Sequence, residues 1–110
     1  MSTDNTIALQ AAVVTMLLAK RPQLATLPID WTLKTNGSIY VDLAICAPTS
    51  CVPAIASELA KAMRGAALEV SGPLRFRDGR PYRSYQVRGK HAGVRVDFDG
   101  LEHLDGGDES

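Results

Sequence analysis

The sequence predicts an α+β domain, a two-layer sandwich in which a mainly antiparallel sheet of about five strands carries two helices on one face. Two segments have apolar residues at helical spacing, and five others alternate apolar and polar residues as half-buried strands do. Glycine-containing turns separate most of the strands. The expected order of elements is αββαβββ.

The length and composition are those of one globular domain. The chain has 110 residues, of which 45% are hydrophobic and 22% charged. We expect a single domain over residues 1–104. Residues 105–110 are rich in glycine and carboxylates, and this composition predicts a disordered acidic tail.

The first helix and first hairpin have clear sequence signals. The helix is expected to bury an apolar stripe and to end before Pro22. Apolar and polar residues then alternate with a period of two, as in a half-buried strand, so Trp31 is expected to point toward the core. Asn36 and Gly37 predict a type I′ turn into the second strand. The residues of the expected stripe are Ile7, Ala11, Val14 and Leu18.

The second helix should begin with a cap at Thr49 or Ser50 and end at Gly65. Pro53 falls in its first turn, where a missing N–H is tolerated. Its apolar residues lie on one side, which should pack on the sheet. These residues are Val52, Ile55, Leu59, Ala62 and Met63.

The last three strands follow from residue 67 onward. Residues 68–71 should continue through a bulge or bend at Gly72 and Pro73 into residues 74–77. Asp78 and Gly79 predict a second hairpin turn, residues 82–88 the return strand, and residues 94–98 the final strand.

Basic residues are concentrated in this second half, with eight Lys or Arg from Arg64 to Arg95 against two acidic residues. If Leu74 and Phe76 face the core, the strand alternation exposes an arginine-rich opposite face, which could bind nucleic acid with Tyr82 stacking on a base. Alternatively, the arginines keep the sheet soluble and blunt its edge, or the acidic segment from Asp97 onward neutralises them. The sequence pI of about 6.7 favours this alternative, because nucleic-acid-binding domains are usually basic. The face consists of Arg75, Arg77, Tyr82, Arg88 and Arg95.

A second candidate surface lies on the first hairpin. The side opposite its apolar residues carries Tyr40, Asp42 and Ala44, which is only mildly polar. We expect self-association as a homodimer, either through this face or through an exposed strand edge.

Catalytic chemistry has little support in the sequence. Cys51 would lie at the start of the second helix, where a thiol can become reactive, and Cys46 precedes it by five residues. His91 and His103 have no evident orienting partner. The pattern contains no metal-ligand spacing and no phosphate-binding loop, so neither a cofactor nor a metal is expected.

These observations favour a non-enzymatic, self-associating interaction module. Nucleic-acid binding is the alternative, and a small thiol enzyme acting through Cys51 is the second alternative. The apolar run of residues 7–19 is shorter than a membrane span, and its flanking charges are not those of a secretory signal, so we expect a cytoplasmic protein. The Ala, Val and Arg usage is typical of a bacterial protein from a GC-rich genome.

Overall fold

The computed structural model describes residues 3–104, and the side chains of residues 6–104. Two helices and five strands follow one another in the predicted order αββαβββ. Short 3₁₀ turns precede β1 and α2, over Pro22–Thr26 and Thr49–Cys51. The elements are α1 (Thr3–Lys20), β1 (Ile29–Leu33), β2 (Ile39–Leu43), α2 (Val52–Ala62), β3 (Ala67–Arg75), β4 (Pro81–His91) and β5 (Val94–His103).

The five strands form one sheet in the order β1-β2-β5-β4-β3. β2 and β5 pair in parallel, with Ile39 opposite Val96, and the other neighbours pair antiparallel. The predicted two-layer α+β fold with a mainly antiparallel sheet is therefore confirmed, and the sheet is mixed. Because β2 and β5 run in the same direction, the turns that precede these two strands lie at the same end of the sheet.

The core lies between the sheet and both helices. Ile39 and Val41 of β2 and Val96 and Phe98 of β5 are completely buried, and they pack against the side of α2 that the sequence predicted. Burying a large aliphatic or aromatic side chain contributes about 1.5–3 kcal/mol, so this layer is the main source of stability. Its largest apolar members include Phe98, Ile39, Val41, Ile55, Leu59 and Met63.

Helix α1 is rotated relative to the predicted stripe. Ile7 is 49% exposed and Ala11 is also exposed, whereas Val13 and Leu17 are completely buried. The prediction was wrong for Ile7 and Ala11, whereas Val14 and Leu18 are half-buried against the core. Residues 5–19 contain no charged residue, so the pattern does not distinguish one side of this helix from another. The outer side of α1 consequently exposes Leu9 and Met16 as well as Ile7.

A buried glutamine fixes the rotation of α1. Gln10 is 1% exposed, and its Nε2 donates hydrogen bonds to the backbone oxygens of Lys34 at 2.8 Å and Ser38 at 2.6 Å. These two oxygens belong to the turn between β1 and β2. The helix is thereby attached to the turn as well as to the core.

The turn between β1 and β2 differs from the predicted type I′ turn. Gly37 has a φ of 90°, and Asn36 is not among the non-glycine residues with positive φ. The N–H of Gly37 donates to Lys34 O, and the N–H of Lys34 donates to Ser38 O. This is a three-residue loop with glycine in the left-handed position, because the side chain of Asn36 accepts from the N–H of Ser38 instead of the backbone adopting positive φ.

Candidate interaction surfaces

The side of the sheet that faces away from the helices, called the open face, contains residues from both predicted surfaces. Tyr40 on β2 lies opposite Asp97 on β5, and Asp97 lies opposite Arg88 on β4. The predicted nucleic-acid face and the predicted self-association face are therefore parts of one surface. Ala44 follows β2 and donates its N–H to Pro28 O, which places it at the border of this surface.

The bulge in β3 redistributes the predicted residues. Between Ser71 and Leu74 the register with β4 shifts, so that Leu74 lies opposite Tyr82 on the open face. Phe76 stacks on the Tyr82 ring, with 4.2 Å between ring centroids. The expectation that Leu74 and Phe76 face the core was wrong, because one extra residue at the bulge inverts the alternation beyond it.

The same inversion moves Arg75 away from the open face. Arg75 lies opposite Pro81, on the side that carries the helices, and its guanidinium donates to Gly79 O at 2.7 Å. Arg77 lies in the turn between β3 and β4. Of the five residues in the predicted basic face, the structure therefore brings Tyr82, Arg88 and Arg95 onto the open face.

Carboxylates of β5 neutralise the arginines of the open face. Arg88 donates to Asp99 at 3.1 Å and lies 3.9 Å from Asp97, and Arg95 lies 2.9 Å from Asp97. The sequence offered neutralisation by the acidic C-terminal segment, which includes these aspartates, as an alternative, but it did not place them on β5 beside the arginines. Their alternation with Phe98, which continues the pattern of Val94 and Val96, was the signal that could have placed them on this face.

Two tyrosines have raised pKa values. Burial raises the pKa of Tyr40, and the nearby Asp99 and Asp42 carboxylates raise it further. Burial also raises the pKa of Tyr85, whose hydroxyl lies 3.0 Å from Glu102 Oε1 and donates a hydrogen bond to it. Both phenols therefore remain hydrogen-bond donors at neutral pH.

The cysteines and histidines do not form a catalytic pair. Cys51 is half-buried against the core, and Cys46 is exposed with a φ of 67°. Within residues 3–104 neither cysteine is hydrogen-bonded to a histidine, and no group of three or more His, Cys, Asp or Glu side chains could hold a metal ion. Thr49, one of the predicted helix caps, instead accepts the backbone N–H of His103 at 3.0 Å.

Strand β3 forms one edge of the sheet and is the most exposed strand of the described chain. All nine of its residues are exposed, including Leu68 at 41% and Val70 at 50%. These two residues lie opposite Val87 and Tyr85, so they project on the side that carries the helices. Helix α2 packs chiefly on β4, and this apolar pair stays partly exposed.

No helix within residues 3–104 is long and apolar enough to cross a membrane. No protein-family model, curated protein or solved structure matches this chain.

Proposed function

We propose that the chain is a small non-enzymatic interaction module that self-associates through the outer edge of β3. The observation that carries this proposal is a nine-residue edge strand whose residues are all exposed and which includes Leu68 and Val70. An edge strand presents a row of unpaired N–H and C=O groups, which a strand of another chain can pair with. Natural proteins protect such an edge with lysines, prolines, bulges or a covering element. Pro73 and the bulge protect the second half of β3, whereas residues 67–71 contain neither lysine nor proline and precede the bulge.

A second copy fits this edge by symmetry. An antiparallel pair of β3 strands, related by a two-fold axis perpendicular to the sheet, makes one ten-stranded sheet with all helices on the same side. Registers centred on Leu68 or on Val70 place an apolar residue opposite its own copy and keep Glu69 away from the other Glu69. Leu68 and Val70 of both copies then form an apolar seam flanked by the two α2 helices.

The test is the mass in solution, measured by light scattering after size exclusion at low and high salt. We expect a dimer that is insensitive to salt, because backbone pairing and apolar burial carry the interface. Val70→Lys should give a monomer, since a lysine on the edge opposes strand pairing. The matched control is Thr32→Lys, which adds the same charge at an exposed position of β1, the opposite edge. A wild-type monomer at high concentration, or a dimer that survives Val70→Lys, would contradict the proposal.

The alternative functions have less support. Nucleic-acid binding by the open face is opposed by the pairing of Arg88 and Arg95 with Asp97 and Asp99, and by the stacking of Phe76 on the ring of Tyr82. A thiol enzyme is opposed by the packing of Cys51 against the core. The bacterial and cytoplasmic setting is part of the proposal. It is supported by composition and is compatible with the two free cysteines.

A further inference from the structure

Two hairpin turns meet at one end of the open face and form a groove. The turn of residues 34–38 precedes β2, the turn at Ala92 and Gly93 precedes β5, and these two strands are parallel neighbours. The space between the turns has a volume of about 490 Å³ and is called here the turn-end groove. Its lining comprises Lys34, Asn36, Gly37, Ser38, Ile39, Tyr40, Lys90, Gly93, Arg95 and Asp97.

The turn-end groove is positively charged. Lys34, Lys90 and Arg95 line it together with one carboxylate, that of Asp97. Asp97 is paired with Arg95 at 2.9 Å, whereas neither Lys34 nor Lys90 forms an ion pair with a side chain of residues 6–104. The ammonium group of Lys34 lies 5.6 Å from the centre of the Tyr40 ring, an aromatic face that holds it beside the groove.

A second depression extends the positive charge across the same end of the sheet. It shares Lys90, Arg95 and Asp97 with the turn-end groove and adds Arg64 and Arg88. Arg64 follows α2 and has no ion-pair partner among the described residues, while Arg88 is paired with Asp99. Three basic side chains without a carboxylate partner among the described residues therefore line the two depressions: Lys34, Lys90 and Arg64.

We propose that the turn-end groove binds a small, multiply charged phosphate compound, with Lys34 and Lys90 as its principal contacts. Lysine ammonium groups bind phosphate oxygens as point charges, and Arg95 can add hydrogen bonds from its guanidinium. A ligand with two or more negative charges matches the excess charge of the lining. This site is independent of the β3 edge and goes beyond the proposed self-association.

The distribution of charge favours a small ligand over a nucleic-acid strand. Past the groove, the open face presents Asp42 and Asp99, which would repel a phosphate backbone that continued along the sheet. A single strand also requires several aromatic platforms, and among the described residues that line the turn-end groove only Tyr40 is aromatic. The groove volume is within the range of small-molecule sites, about 300–1,000 Å³.

The test is a titration of the isotope-labelled full chain with inorganic pyrophosphate at low salt, followed by amide chemical shifts. We expect saturable shifts concentrated in residues 34–38 and 90–95. The double variant Lys34→Ala, Lys90→Ala should raise the Kd about tenfold or more, because it removes both unpaired charges of the groove. Both side chains are exposed and outside the core, so this variant should fold.

The matched control removes a positive charge at the other end of the sheet. Arg77 lies in the turn between β3 and β4, and β4 is antiparallel to β5, so this turn lies away from the groove. Arg77→Ala should leave the Kd within about twofold. Absent or non-saturable shifts, or equal weakening by both variants, would overturn the site. Tighter, more salt-dependent binding of a single-stranded oligonucleotide to the same amides would overturn the ligand class.

Discussion

The two edge strands of the sheet are built in opposite ways. β1 has five residues that alternate between half-buried and exposed, and its Trp31 and Leu33 pack against the core. β3 has nine residues, all of them exposed, and none belongs to the core or packs against it. One helix contacts each edge strand, α1 on β1 and α2 on β3, but only β1 packs its side chains against the core. An edge strand can thus be stabilised by side-chain packing within its own chain or left available for pairing with another chain.

The largest expected effect tests whether side-chain packing contributes more to the stability of β1 than to that of β3. Trp31→Ala should lower the free energy of unfolding by about 3 kcal/mol, the lower end of the range for a buried Trp, because Trp31 is only half-buried. Val70→Ala should cost less than about 1 kcal/mol, since Val70 is half exposed. The measurement is chemical denaturation at protein concentrations low enough to keep the chain monomeric. Similar losses for both variants would show that the two edges do not differ.

Local patterns predicted the elements of both edges well. The alternation around Trp31 placed its side chain correctly, and the predicted apolar side of α2 is buried in full. Gly72 and Pro73 also indicated the irregularity within β3. These features depend on residues close together in the chain, where period and turn chemistry are informative.

Features that depend on distant residues were not predictable from the pattern. The parallel pairing of β2 with β5 brings Lys34 and Lys90 to the same groove, and nothing in either segment specifies strand order. The position of the bulge decides whether Phe76 or Arg75 reaches the open face, and a sequence marks a bulge without giving its register. The buried Gln10 was missed because its partners are backbone oxygens of a distant turn.

A second, smaller effect concerns the bulge in β3. The register between β3 and β4 shifts at this bulge, whereas β1 and β2 pair without interruption. Gly72 has a φ of 120°, and a Cβ at this position would lie 3.0 Å from Leu74 N and 3.1 Å from Tyr82 O. Gly72→Ala should therefore cost about 1–3 kcal/mol, since backbone atoms of both strands must move. The loss is measured by thermal or chemical denaturation of the purified variant.

The control for the bulge is Gly79→Ala in the turn between β3 and β4. Gly79 also has a positive φ, 87°, but no atom lies within 4 Å of a Cβ placed there. This variant should lose only the conformational cost of a left-handed residue, about 1 kcal/mol. If Gly79→Ala is as destabilising as Gly72→Ala, crowding at the bulge does not distinguish these positions.

The smallest expected effect is the loss of stability at alkaline pH that follows from ionisation of the tyrosines beside each edge. Tyr40 on β2 borders β1, and Tyr85 on β4 borders β3. Burial is the largest cause of the raised pKa of both phenols. Because the folded state has the raised pKa, this contribution to stability is complete below the unfolded pKa of about 10 and is lost as pH rises through the folded pKa. Tyr85→Phe and Tyr40→Phe should each reduce the loss of stability above about pH 10.

Self-association through β3 adds a difference between these two tyrosines. Tyr85 lies opposite Val70, so pairing of a second β3 would bury it further, while Tyr40 on the open face would stay as it is. In an ultraviolet titration of the two Tyr→Phe variants, the pKa of Tyr85 should rise with protein concentration and that of Tyr40 should not. A concentration dependence confined to Tyr40 would locate the interface on the open face instead of the β3 edge. The exposure of β3 would then need an explanation other than pairing with a second copy.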